Sequence, residues 1–218
     1  MVDLSRTDPR IFEKARDQMI EGLRRQNISD NVIDAMKLVP RHLFVPDCSL
    51  KRAYEDHPLS IGKDQTISAP HMVAIMCELL ELNSGMNVLE IGTGSGYHAA
   101  IISKLIGDGH IFSIERFDSL AKKARFNLTK AGCRNVSVFV GDGTLGLPEN
   151  APFDRINVTC SAPKVPPPLL DQLKEGGRMV IPIGKIHQEL YLVKRDGEIV
   201  MEKKMGVIFV PLVGEYGF

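Results

Sequence analysis

The sequence predicts a doubly wound α/β fold, with a mostly parallel sheet, an antiparallel C-terminal addition and an N-terminal helical cap. Three observations predict it. From Asn87 onward, short apolar strands alternate with helical stretches, the pattern of a parallel sheet covered on both faces. The first of these strands runs into a glycine-rich turn, Gly92-Thr93-Gly94-Ser95-Gly96. The tail abandons the alternation for two apolar stretches about a turn at Asp196-Gly197.

Residues 10–26 set Ile11, Ala15, Met19 and Leu23 at helical spacing among charges, which reads as an amphipathic helix. Ser29 suits the cap of a second helix over 30–39, which Pro40 stops. The prolines and turn residues of 40–65 read as an irregular connection. Pro70 fits the first turn of a helix over 71–82, where a missing N–H costs nothing. Strands follow at 87–91, 110–115, 135–140, 153–160 and 178–184, with helices at 97–106, 117–131 and 166–173. ELYLVKR (189–195) and GVIFVPLV (206–213) read as the antiparallel pair. One domain is expected, divided into a cap (1–83), an α/β core (84–188) and C-terminal strands (189–218).

Composition narrows the function. The 218 residues are 44% hydrophobic and 25% charged, a globular composition. Lys and Arg total 27 against 27 Asp and Glu, so no basic excess favours a nucleic-acid backbone. No run approaches the ~20 apolar residues of a membrane span. The N-terminal MVDLSRTDPR lacks the apolar core of a secretory signal, so a cytoplasmic address is expected. Cys48, Cys77, Cys133 and Cys160 form no CxxC pair and no HExxH occurs; reduced, mostly buried thiols and no metal are expected.

In the glycine loop, Gly92 permits a tight turn, Gly94 lets a ligand approach the backbone, and Gly96 allows close helix packing. A dinucleotide fingerprint would put glycine or alanine at 97, where this chain has Tyr97. Glu90, two residues before Gly92, disfavours a pyrophosphate, since like charges ~4 Å apart cost several kcal/mol in a partly dry site. At the mouth of the loop the same carboxylate suits the ammonium or sulfonium of S-adenosylmethionine; otherwise it is a solvated strand-end acid. Glu115 ends the next strand, where an acid accepts from ribose hydroxyls. Asp142 follows the third and can accept from the adenine amine; alone it would be an ordinary Asp-Gly turn. Three acids at the ends of three consecutive strands open on one crevice and suggest a nucleoside site.

TISAPHM (66–72), VLEIGTGSGYHAA (88–100), SIE (113–115), VGDG (140–143), APFD (151–154), GGRMVIPIG (176–184) and VIFVPLVG (207–214) closely resemble the protein-L-isoaspartate (D-aspartate) O-methyltransferases. AMKLVPRHLFVP (35–46) and AYEDHPLSIG (53–62) match as well, so the resemblance spans nearly the whole chain. It departs at TCSAP (159–163), where Cys160 and Ser161 stand in place of the usual alanines and changed packing is expected. The resemblance implies a Rossmann-like class I methyltransferase sheet and methyl transfer from S-adenosyl-L-methionine to the free carboxylate of L-isoaspartyl or D-aspartyl residues. The ester closes to a succinimide and so begins repair. It further implies a cofactor site of Ile67, Ser68, His71, Glu90, Gly92, Thr93, Gly94, Ser95, Glu115, Asp142 and Gly143, and Ser68 as the active-site serine. S-adenosyl-L-homocysteine is the implied product; damaged proteins or peptides are the implied partners of a monomer, without nucleic acid or membrane.

The residues suit that chemistry. A carboxylic acid is already ionised at neutral pH, so attack on a sulfonium methyl needs alignment and exclusion of water but no general base. With Ala69 as the nominal cap, the Ser68 hydroxyl is left to face the crevice; as a plain capping serine it would have no such role. Thr66, two residues earlier, faces the same way in an extended segment and is a substrate contact or a solvated loop residue. His71 is a cofactor-side contact or a partly buried histidine, and His98 gets no role. The end of VIFVPLVG, near Val213 and Gly214, can shape a peptide groove. Rival readings are an RNA or small-molecule methyltransferase, a nicotinamide oxidoreductase and a non-catalytic nucleoside-binding module.

Overall fold

In the computed structural model, which describes residues 9–218, the chain opens with helix α1 (Pro9–Arg24). The reading of the charged stretch 1–8 lies outside the described residues. Helix α1 buries Met19 and Leu23, whereas Ile11 is exposed, contrary to the sequence reading. Phe12 packs inward in its place, stacked on His42 at 4.3 Å. Helix α2 (Asp30–Leu38) follows, but Ser29 does not cap it by side chain. Its hydroxyl binds Glu78 Oε2 at 2.6 Å, tying α2 to a later helix.

The connection 40–65 is more ordered than the sequence suggested. It holds two short 3₁₀ turns, Arg41–Phe44 and Asp47–Arg52, and then a hairpin of β1 (Leu59–Gly62) and β2 (Gln65–Ile67). Lys63 and Asp64 make its turn, both at φ 56°, the left-handed conformation of a tight hairpin. Helix α3 (Pro70–Leu80) starts with Ala69 as its cap residue, as expected.

The remaining elements are β3 (Asn87–Ile91), α4 (Tyr97–Leu105), β4 (His110–Glu115), α5 (Asp118–Lys130), β5 (Val136–Val140), β6 (Phe153–Val158), α6 (Pro167–Asp171), β7 (Leu173–Ile183), β8 (Gln188–Asp196) and β9 (Glu198–Val207). The seven-stranded sheet runs β5-β4-β3-β6-β7-β8-β9, with β8 and β9 antiparallel. Side chains alternate between faces, so Val88, Ile111 and Val180 pack under α1–α5 while Leu89, Ile156 and Met179 pack with α6. The chain departs in opposite directions from β3, toward β4 on one side and β6 on the other. A crevice forms at the carboxyl ends of strands on either side of such a switch point.

One sequence reading needs correction here. The final strand is the charged stretch 198–207, and 208–213 lies outside the sheet. β9 is an edge strand held by cross-strand charge pairs, Lys203 to Glu189 at 2.7 Å and Lys194 to Glu202, so it carries no apolar alternation to read. Residues 208–213 instead cross the end of the sheet: Ser161 N–H donates to the Val210 carbonyl and Leu212 N–H to the Ser161 carbonyl, each at 2.8 Å. Among the thiols, Cys48 is exposed; Cys77, Cys133 and Cys160 are buried and none is bonded to another. Among the described residues, no helix is long and apolar enough to cross a membrane, and no group of three or more His, Cys, Asp or Glu is set to hold a metal.

Candidate active site

The switch-point crevice is a narrow cleft of about 90 Å³, below the ~300–1,000 Å³ of wide-open small-molecule sites. Gly92, Gly94, Glu115, Gly143, Thr159 and Cys160 line it, with Pro211, Leu212 and Val213 from the C-terminal strap. The glycines are needed for shape. Gly92 sits at φ 92°, and a Cβ there would meet Thr159 Oγ1 at 2.5 Å. At Gly96 a Cβ would press on Leu128 of α5 at 3.1 Å, the close helix packing expected of that position.

Glu115 closes the cleft at the end of β4. Its Oε2 accepts from Gly94 N–H at 2.8 Å and its Oε1 from Phe117 N–H at 2.9 Å. Each carboxylate oxygen keeps a lone pair for a ligand hydroxyl. The acid therefore fixes the loop and can still take a ribose.

Glu90 is not at the mouth of the loop. It is fully buried beneath it, between Ser113 on β4 and Asn157 on β6, its register partners. Ser113 Oγ donates to Glu90 Oε2 at 2.5 Å, and Ser113 in turn shares a 2.6 Å hydrogen bond with Thr93 Oγ1 in the loop. Burial pushes the Glu90 carboxyl up to about 8, against the opposing pull of Ser113 and Asn157. Both Thr93 and Ser95 are buried supports, Ser95 through its carbonyl, which accepts from Asn127 Nδ2 at 3.0 Å.

Asp142 is also committed. Its Oδ1 accepts from the N–H and hydroxyl of Thr144, at 2.9 and 2.7 Å, and its Oδ2 from Glu215 N–H at 2.8 Å. Burial raises its carboxyl, but these bonds outweigh it and hold the group below the usual carboxylate range. Asp142 thus latches the strap to the cleft. Arg116 makes a second latch, Nη1 to the Val213 carbonyl at 3.0 Å.

A second, wider groove of about 770 Å³ runs alongside, lined by Ser68, His71, Met72, Ile186, Gln188 and Phe209, among others. Thr66, Thr159 and Val210 line both cavities, so the two meet at one wall. Ser68 lines the groove and does not line the glycine-loop cleft. His71 lines the groove too, contrary to its reading as a cofactor-side contact: Asp56 Oδ1 accepts its N–H and its ring Nδ1, both at 2.9 Å. Val213, expected to shape the peptide groove, lines the first cleft. Ile67 is buried and lines neither cavity.

Sequence reasoning passed over Arg41, Asp56, Arg116 and Thr159. Arg41 lies within VPRHLFVP and Asp56 within AYEDHPLSIG, so both were visible as motif members without a role. Ser113 and Asn157, polar interruptions in buried strands, were the available sign that Glu90 has company.

A strand-end acid facing a glycine loop, beside a second and larger groove, fits a nucleoside cofactor that reacts with a separately bound substrate. The fold is shared with solved methyltransferases. A protein-L-isoaspartate O-methyltransferase structure matches with a TM-score of 0.86 and 34% identity over 93% of this chain and 67% of that one. A β-aspartate methyltransferase of Plasmodium falciparum, in complex with S-adenosyl-L-homocysteine, matches with a TM-score of 0.81 and 27% identity over 91% and 98%. Fold and site together define an S-adenosylmethionine-dependent methyltransferase of Rossmann-like architecture.

Within that class the assignment is specific. The chain belongs to the protein-L-isoaspartate(D-aspartate) O-methyltransferase family, whose model matches residues 14–217. The protein-L-isoaspartate O-methyltransferase of Methanothrix thermoacetophila is 55% identical over 204 residues, 93% of this chain and 97% of that one. The nicotinamide and non-catalytic readings are set aside.

Proposed function

We propose that the protein methylates the free carboxylate of L-isoaspartyl, and D-aspartyl, residues in damaged proteins and peptides, with S-adenosyl-L-methionine as donor. The wall shared by cleft and groove carries this reading: Thr66, Thr159 and Val210 line both cavities, so a cofactor in one and a peptide in the other would meet there. S-adenosylmethionine, when bound, supplies an electrophilic methyl group.

The chain's residues do the rest. The glycine loop and Glu115 hold the nucleoside end, and the strap of Pro211–Val213 keeps water out; Asp142, Gly143 and the buried Glu90 support the same cleft. Ser68 donates a hydrogen bond to the incoming carboxylate, with Thr66 beside it; no nucleophile or general base is called for. The isoaspartyl link leaves its α-carboxylate on a short arm that this clamp reaches, whereas a normal aspartyl carboxylate stands one carbon further out. The whole chain works as one cytoplasmic, monomeric methyltransferase domain that uses neither nucleic acid nor membrane.

Radiolabelled methyl transfer to paired peptides tests the reading. The isoaspartyl peptide should react at least ~10²-fold faster than its L-aspartyl twin, the scale of a misaligned attack. Ser68→Ala should slow that reaction while S-adenosylmethionine affinity stays within a few fold. Equal rates on both peptides would remove the repair function.

A further inference from the structure

We infer that Arg41 is a positioning residue for the methyl-accepting carboxylate: from inside the core it holds the Ser68 main chain and presents a buried positive charge to the subsite beside it. The inference rests on the proposed function above. Arg41 is 0% exposed, the largest fully buried side chain among the described residues. Its Nη2 donates to the Ser68 carbonyl at 2.8 Å and its Nε to the Ala53 carbonyl at 2.8 Å. Its guanidinium carbon stands 4.6 Å from the centroid of the Tyr97 ring.

Among the described residues no carboxylate forms an ion pair with it, and the neutral Tyr97 hydroxyl is set against its guanidinium instead. A buried cation without a counter-ion is costly, and apolar residues of the same size would fill the space at less cost. Its placement explains why it stands there. Arg41 touches the segment that carries Ser68 and also Tyr97, the first residue of α4 directly behind the glycine loop.

The titratable groups facing it are Tyr97 on α4 and Tyr54 and Asp56 on the segment before β1. The Asp56 carboxylate is already taken by His71 and stands partly in water, which screens it. A net positive field therefore reaches the groove at Ser68. It favours a carboxylate there over a neutral group, by roughly tenfold for a partly screened charge one residue away.

The experiment compares two peptides that differ only at the reacting group: isoaspartyl, with a carboxylate, and isoasparaginyl, with a carboxamide. Dissociation constants are measured by calorimetry with S-adenosylhomocysteine present, so that nothing turns over. The wild type should prefer the carboxylate roughly tenfold, and Arg41→Met should bring the ratio to within about twofold. S-adenosylhomocysteine affinity, the check on the fold, should stay within about threefold.

Arg41→Lys adds a signature that packing alone cannot give. A buried ammonium loses its proton more readily than a guanidinium, so its carboxylate preference should fade between about pH 7.5 and 9 while the wild type stays flat. Should Arg41→Met fail to fold, this pH dependence decides the matter. An unchanged ratio in folded Arg41→Met, or a flat profile in Arg41→Lys, would overturn the role of Arg41 and leave the proposed function standing. Failure of the wild type to methylate isoaspartyl peptide would instead remove the function itself.

Discussion

The two cavities that meet at Thr66, Thr159 and Val210 are built from different kinds of chain. The cleft is made from the ends of β3, β4 and β6, where Glu115, Glu90 and Thr159 are each tied by hydrogen bonds to the glycine loop or its neighbours. The groove is made from a hairpin, a helix start and the stretch 205–210, with Ile186 and Ile208 exposed at its rim. A cofactor of constant shape is met by backbone in a fixed frame. Peptides of varied sequence are met by adaptable surface segments. The division of labour is physical, and each side can be disturbed without the other.

Glu115→Ala should produce the largest effect on the cleft side. Losing the acceptor of ribose hydroxyls, and of the Gly94 and Phe117 N–H groups, should cost about 2–4 kcal/mol in cofactor affinity, or roughly thirtyfold or more. Peptide affinity should move little. Calorimetry with each ligand in turn measures both, and equal losses would mean that the cavities do not act separately.

Glu90→Gln tests the buried acid through stability. Burial holds its carboxyl at about 8 against an ordinary 4.5, so the native state keeps a proton that the unfolded chain has released. That stabilisation is present below 4.5 and lost as pH rises through 8. His98 runs the opposite way: burial pulls it from 6.5 to about 3, so its contribution is present above 6.5 and lost as pH falls. The two slopes cancel between 4.5 and 6.5 and leave Glu90 alone from 6.5 to 8. Unfolding free energy from denaturant melts should fall by about 2 kcal/mol across that window, and Glu90→Gln should flatten it. A wild-type curve already flat there would show that Glu90 is ionised in the folded protein.

Ser161→Ala is the smallest change. The hydroxyl donates to the Gly184 carbonyl at 2.6 Å, and removing it should cost about 1 kcal/mol in thermal or denaturant unfolding. The main-chain bonds from Ser161 to the strap remain, so peptide affinity should hold. A fall in peptide affinity would extend the groove's dependence into the sheet.

The same contrast governs what the sequence reveals. Runs such as NVLEI and HIFSIE announce buried parallel strands, and the spacing from Gly92 to Glu115 places an acceptor at the end of the neighbouring strand. The hairpin turn at Lys63 and Asp64 stayed hidden because Lys63 gives no sign of the left-handed conformation it adopts, and Asp64, which tolerates it, is not followed by glycine. β9 was missed because an edge strand rich in Lys and Glu has no apolar rhythm. For Glu90, its place two residues before Gly92 identified the loop but not its depth, which depends on Ser113 and Asn157 closing over it from two other strands. Arg41 had no local signature at all, since its partners are carbonyl groups at Ala53 and Ser68.

Cys160 gives the strap a built-in clock. It lines the cleft in one apolar cluster with Leu212 of the strap, and burial raises its thiol well above the ordinary range, so alkylation there should be slow and should quicken whenever the strap moves away. Cys48 is exposed and labels first, while Cys77 and Cys133 sit in the core. Mass spectrometry of the modified Cys160 peptide would then time the breathing of the closed cleft. A ligand seated above that thiol should slow the clock in proportion to its occupancy.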